Sequence, residues 1–138
     1  SPEDGLRIHR AWQIASFPGA YQDPNAMTDT LLAASRLEDL DEPTRASIHQ
    51  LQLDYDREYD QYCTELVETL RTMPAMRGIG FSMEGAAEHE RGLQEVERIQ
   101  FQRNDYSDKV RDRLRNMLTV EQIEALGGLE TVQASVMP

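Results

Sequence analysis

At 138 residues the chain has the length of one domain with a modest core and is too short for two independent ones. Only 39% of its residues are hydrophobic and 7% aromatic, which favours amphipathic helices that bury a narrow stripe over a thick globular centre. A formal net charge of −11 argues against nucleic-acid binding, which needs a basic face, and disfavours anionic membrane surfaces for the same reason.

Residues 4–16 place Ile8, Ala11, Trp12 and Ala15 on one helical face. Leu6, Ile8, Trp12 and Ile14 would also suit an interrupted strand, but no partner strand is evident elsewhere, so a short helix is expected. Residues 17–25 contain Pro18, Gly19, Asp23 and Pro24 and form a connector. A second short helix is expected over 26–37, with Met27, Leu31, Leu32 and Ser35 toward its buried side. Residues 1–36 thus make an N-terminal helical segment, and the chain turns before residue 43.

Ile48, Leu51, Tyr55, Tyr59, Tyr62, Leu66, Leu70 and Met73 then step by three and four, which predicts a long helix over 42–72. Asp41 is its expected N-cap, and Pro43 falls in the first turn, where a missing amide costs little. About 30 residues at 1.5 Å each make a rod about 45 Å long. A domain this small cannot enclose such a rod, so it must pack along another rod or along a copy of itself.

Pro74, Gly78 and Gly80 end that helix, and Ser82 can cap the next, expected over 83–117. Its stripe is Leu93, Val96, Ile99, Tyr106, Val110, Leu114 and Met117, interrupted at Gln102 and Arg103. Joined by a short loop, the two rods should form a long antiparallel helical hairpin. If the turn centres near Gly78, Arg103 falls opposite Gln52 and Asp56, where a buried polar layer could set the register. Snorkelling of Arg103 to solvent is the simpler expectation. Gly85 and Gly92 cost about 1 kcal/mol each against Ala. Their spacing suggests close approach of something bulky, such as Trp12 or a tyrosine of the facing helix.

In Met117-Leu118-Thr119-Val120-Glu121-Gln122-Ile123 one device explains the spelling. Thr119 can cap a helix by accepting from the Gln122 amide while the Gln122 side chain reaches back to the Thr119 amide. Leu118 and Ile123 are placed for a hydrophobic staple. This short helix should end at Gly127-Gly128, leaving 127–138 as a loose tail. The expected fold is therefore all-α: a hairpin core over 37–126, short N-terminal helices and a short C-terminal helix.

No phosphate loop, Gly-x-Ser-x-Gly, His-Glu-x-x-His or Cys-x-x-Cys is present, so the reading is non-enzymatic, with no catalytic residue and no cofactor. The carboxylates alternate with Arg along helix faces, which describes solvated surface. His9, His49 and His89 are scattered, and none has a second His or Cys one turn away, so no metal site is assigned. Glu84, Glu88 and His89 could hold a weak one only with a partner chain. Cys63 is the sole cysteine; it can form no disulfide within the chain and reads as a small buried hydrophobe. Lys109 is the one lysine among 14 basic residues, a bias that fits either a GC-rich genome or a use for guanidinium geometry.

Two surfaces are candidates for protein binding. Met73, Met76, Ile79, Phe81 and Met83 crowd the hairpin tip, where a loop is ordinarily polar, and Met-rich surfaces adapt to varied apolar partners. Packing beneath the N-terminal segment or across a dimer is the plainer explanation. Tyr55, Tyr59 and Tyr62, with Tyr106, could line an amphipathic face, although core or dimer packing is the plainer use.

The run Leu118-Thr119-x-x-Gln122, following an Arg-rich amphipathic helix, resembles the signature of the Spy/CpxP group of small exported bacterial helical proteins. That resemblance covers about residues 37–126. It implies a periplasmic location, helical hairpins that dimerise into a curved cradle, and chaperone-like or envelope-stress adaptor activity on protein partners. The family usually carries the motif twice. At the place of the first copy stands Leu40-Asp41-Glu42-Pro43-Thr44, with a capping residue kept and Gln replaced by Thr44. Related nickel and cobalt sensor domains carry His and Met one turn apart, where this chain has Val110 and Leu114. Its acidity also departs from the basic cradle of the chaperone members. The alternatives are a sensory domain of a membrane-anchored protein and a structural coiled-coil spacer. The start at Ser1-Pro2 is compatible with removal of an upstream signal or anchor.

Overall fold

The computed structural model describes Gly5, Ile8, residues 18–21, 23–73 and 83–129. Among these residues the chain is all-α: a 3-10 turn at Pro18–Tyr21, then α1 (Thr28–Ser35), α2 (Glu42–Thr72), α3 (Met83–Met117) and α4 (Val120–Ala125). The long helices begin and end where the periodicity places them, whereas α1 is shorter at both ends than the stretch 26–37. The helix expected over 4–16 lies largely outside the described residues.

By contacts the chain divides into two units, Ser1–Gln22 with Asp60–Arg103 and Asp23–Tyr59 with Asn104–Pro138. In each unit a segment of α2 packs on a segment of α3, the early part of one against the late part of the other, so the two rods form the expected antiparallel hairpin. No helix among the described residues is long and apolar enough to cross a membrane.

In the second unit α2 opens as its sequence requires. The Asp41 carboxylate accepts from the Thr44 amide at 2.9 Å, and the Asp41 carbonyl accepts from the Arg45 amide at 2.9 Å. Hydrogen bonds from the Thr44 side chain and amide hold the Asp41 carboxyl below the usual carboxylate range. One turn on, Arg45 donates to the Ser35 carbonyl at 2.9 Å and the Leu37 carbonyl at 3.0 Å. It thereby satisfies acceptors at the end of α1 and fixes the turn between α1 and α2.

The core of this unit gathers Met27, Leu31 and Ala34 with Ile48, Leu51, Tyr55 and Tyr59, together with Val110, Leu114 and Leu118 of the returning strand of chain. Tyr55 is wholly buried at its centre. Its Oη accepts from the Met27 amide at 2.9 Å and shares a 2.9 Å hydrogen bond with Ser107 Oγ. Its ring stacks on Tyr59 and Tyr106 at centroid distances of 5.2 and 5.7 Å. The Tyr59 hydroxyl donates to Asp23 at 2.9 Å. A single side chain of α2 thus joins the entry to α1 and a seryl residue of α3.

Among the described residues of the first unit, the core holds Ala20, Leu66, Val67 and Ile99, with Tyr21, Tyr62 and Val96 packed against it. The apolar stripe loses cover toward the far end of the hairpin. Leu70 and Leu93, expected inside, are 38% and 43% exposed, against 1% for Ile99.

Two further expectations change. Arg103 does not reach solvent and is not opposite Gln52 and Asp56. It is 3% exposed and faces Cys63 and Ala20, two to three turns further along α2 than a turn centred at Gly78 would place it. The tail is not loose at its start: Leu129 is buried and its carbonyl accepts from Arg115. Gly127 and Gly128, at φ 80° and 90°, turn the chain after α4 in a conformation glycine adopts freely, with the Gly128 amide bonded to the Ile123 carbonyl at 3.0 Å.

Tyr55→Phe keeps the ring but strands the Met27 amide and the Ser107 hydroxyl in the core. It is expected to cost about 1–3 kcal/mol in urea unfolding, with the m-value unchanged.

Candidate functional site

The capping motif has the geometry its spelling demands. Thr119, with extended φ and ψ of −77° and 166°, accepts from the Gln122 amide at 3.2 Å, and its own amide donates to Gln122 Oε1 at 2.9 Å. Leu118 and Gln122 are buried, at 8% and 7% exposure, while Thr119 stands at the surface. Beyond the box, Gln122 Nε2 reaches the Asp39 carbonyl at 3.4 Å. Asp39 lies two residues before the Asp41 cap of α2, so the glutamine links the starts of two helices. That second bond explains why an amide, with both an acceptor and a donor, occupies this position where a carboxylate would serve the box alone. Sequence reasoning finds the box; it misses Asp39, because the partner is a backbone carbonyl 83 residues away.

A second polar cluster sits inside the first unit. Arg103 Nη1 donates to the Ala20 carbonyl at 2.6 Å and approaches Cys63 Sγ at 3.5 Å, and the Cys63 thiol turns to the same carbonyl at 3.8 Å. Both side chains anchor the 3-10 turn at Pro18–Tyr21 to the long helices. Asp60, one turn before Cys63, is also buried. Cys63 is wholly buried, which agrees with its reading as core.

The tyrosine row divides. Tyr55 and Tyr59 are interior groups of the second unit, at 0% and 6% exposure, and offer no free face to a partner. Tyr62 is half-buried against the core of the first unit. The packing use of these rings is the one the structure shows.

At the hairpin end, Met83 is 91% exposed, whereas Met73 lies partly buried in an open groove. Met76, Ile79 and Phe81 lie outside the described residues. The groove has a volume of about 390 Å³; α2 lines it with Thr69, Thr72 and Met73, and α3 with Glu88, Arg91, Gly92 and Glu95. Gly92 makes room for its floor, since a Cβ there would stand 2.5 Å from Met73 Cγ. The bulky neighbour from the facing helix that this glycine admits is therefore a methionine and not a tyrosine; Trp12 lies outside the described residues. At the rim Glu95 pairs with Arg98, whose guanidinium holds the carboxyl below the usual carboxylate range. Among the described residues no group of three His, Cys, Asp or Glu stands close enough to hold a metal ion.

No family model matches this chain, and neither the curated proteins nor the solved structures include a match to it.

Gln122→Ala removes both the box and the Asp39 contact. It should destabilise by about 1–2 kcal/mol, and the Thr119→Ala, Gln122→Ala double variant should lose less than the sum of the single losses. Arg103→Met keeps the volume but releases the Ala20 carbonyl. The expected result is about tenfold faster labelling of Cys63 by a thiol reagent under native conditions, as the 3-10 turn opens more often.

Proposed function

We propose that this chain is a non-enzymatic protein-binding module of the exported Spy/CpxP-like kind, acting as a chaperone-like or envelope-stress adaptor, with the far end of its hairpin as the contact surface. One observation carries this reading. Tyr55 and Tyr59 of the second unit are spent on internal hydrogen bonds and stacking, and Leu32, Leu53 and Val120 are exposed singly there, whereas the first unit adds to the exposed Met83, Leu70 and Leu93 an open, methionine-floored groove. Uncovered apolar side chains ringed by charge are the usual form of a protein contact site. The paired helix starts add support, since Asp41 and Thr119 cap at the two places where the family carries its motif. Dimerisation, which the resemblance implies, belongs to the same proposal.

The acidity of the chain selects among clients. At net charge −11 it attracts basic unfolded chains at low salt and repels acidic ones. Aggregation of a basic and an acidic client should be followed by light scattering beside an inert acidic protein. The expected outcome is suppression of the basic client at near-equimolar module, weakening as salt rises. Scattering no lower than with the inert protein for either client would sink the reading.

A further inference from the structure

We propose that the groove between α2 and α3, floored by Met73 over Gly92 and walled by Thr69, Glu88 and Glu95, seats a cationic amphipathic helix of a partner protein; this gives the protein-binding reading its partner class and rests on it. The floor is a thioether, which repacks against Leu, Met or Phe with little loss. The α3 wall carries Glu88, Arg91 and Glu95 on one face, so its charge alternates negative, positive, negative. Glu88 makes no ion pair among the described residues, and Glu95 already holds Arg98. Seven residues separate the two glutamates, about 10.5 Å along the helix, which is the distance between positions i and i+7 of a partner helix lying alongside.

The complement of this wall is therefore a helix with Lys or Arg at i and i+7, a polar or acidic residue between them facing Arg91, and an apolar anchor over Met73. A second copy meeting this groove with its own groove face does not supply it. Residues 60–73 and 83–103 hold eight carboxylates against four guanidinium groups, so a second copy at this groove would bring the same excess of negative charge. An acidic helix is disfavoured for the same reason.

The test is calorimetric titration of the full chain with a helical Leu/Lys amphipathic peptide and its Leu/Glu counterpart, with the methyl resonance of Met73 followed in parallel. The Leu/Lys peptide should bind one to one and shift that resonance, and the Leu/Glu peptide should not bind. Glu88→Gln with Glu95→Gln should weaken binding about tenfold, and a rise from about 0.05 to about 0.3 M salt should do the same. Glu90→Gln with Glu97→Gln removes equal charge from the other side of α3 and should change affinity by less than about twofold. Equal weakening by both pairs would assign the attraction to bulk acidity, and loss of self-association in the groove variant would assign the groove to a second copy; either overturns the proposal. So does an unmoved Met73 resonance. If the groove fails while the basic client is still protected from aggregation, the protein-binding reading survives on a different surface.

Discussion

A helix of 31 residues and another of 35, in a chain this short, can be buried only along each other, and the interior they share is one stripe wide. A polar group placed there must find its hydrogen-bond partner directly across the stripe or on the chain segment laid over it. That constraint accounts for the character of both units. Tyr55 reaches Ser107 across the stripe and the Met27 amide above it, and Arg103 reaches Cys63 across and the Ala20 carbonyl above.

Among the described residues the overlying segments are short. Pro18–Tyr21 has four residues and α1 has eight. Hydrogen bonds from the long helices to their backbone therefore fix their position more sharply than apolar packing alone, because a carbonyl or amide offers one direction and one distance. Arg45 on the Ser35 and Leu37 carbonyls, and Arg111 on the Asn25 carbonyl, follow the same pattern. The guanidinium suits this use because its several fixed donors satisfy two acceptors at once. The preference for arginine over lysine thus has structural uses here, whatever the composition of the genome.

The same division separates a closed from an open part of the stripe. Where the overlying segments lie, the stripe is closed and its tyrosines are consumed by the core. Beyond them Leu70 and Leu93 are half-open, and Met73 floors a groove that Gly92 keeps clear. A glycine in mid-helix lowers local stability by about 1 kcal/mol against alanine, a cost that the approach of Met73 to α3 offsets in part. The groove's charges stand on solvated helix faces, where they add little to stability.

The sequence by itself determined the all-α class, the limits of both long helices, the Asp41 cap and the Thr119–Gln122 box, because each depends on residues within one or two turns of one another. It also separated interior from surface along most of the stripe. Only the tertiary structure decided the register, which placed Arg103 against Cys63 instead of Gln52 and Asp56. A loop's residue count does not fix how far one helix slides past the other, and the segment from Pro74 to Ser82 offered several centres for the turn. The bond from Gln122 to Asp39, the burial of Leu129 and the meeting of Met73 with Gly92 were likewise settled in three dimensions. Each joins groups distant in sequence, and local pattern carries no record of what lies across a packed interface.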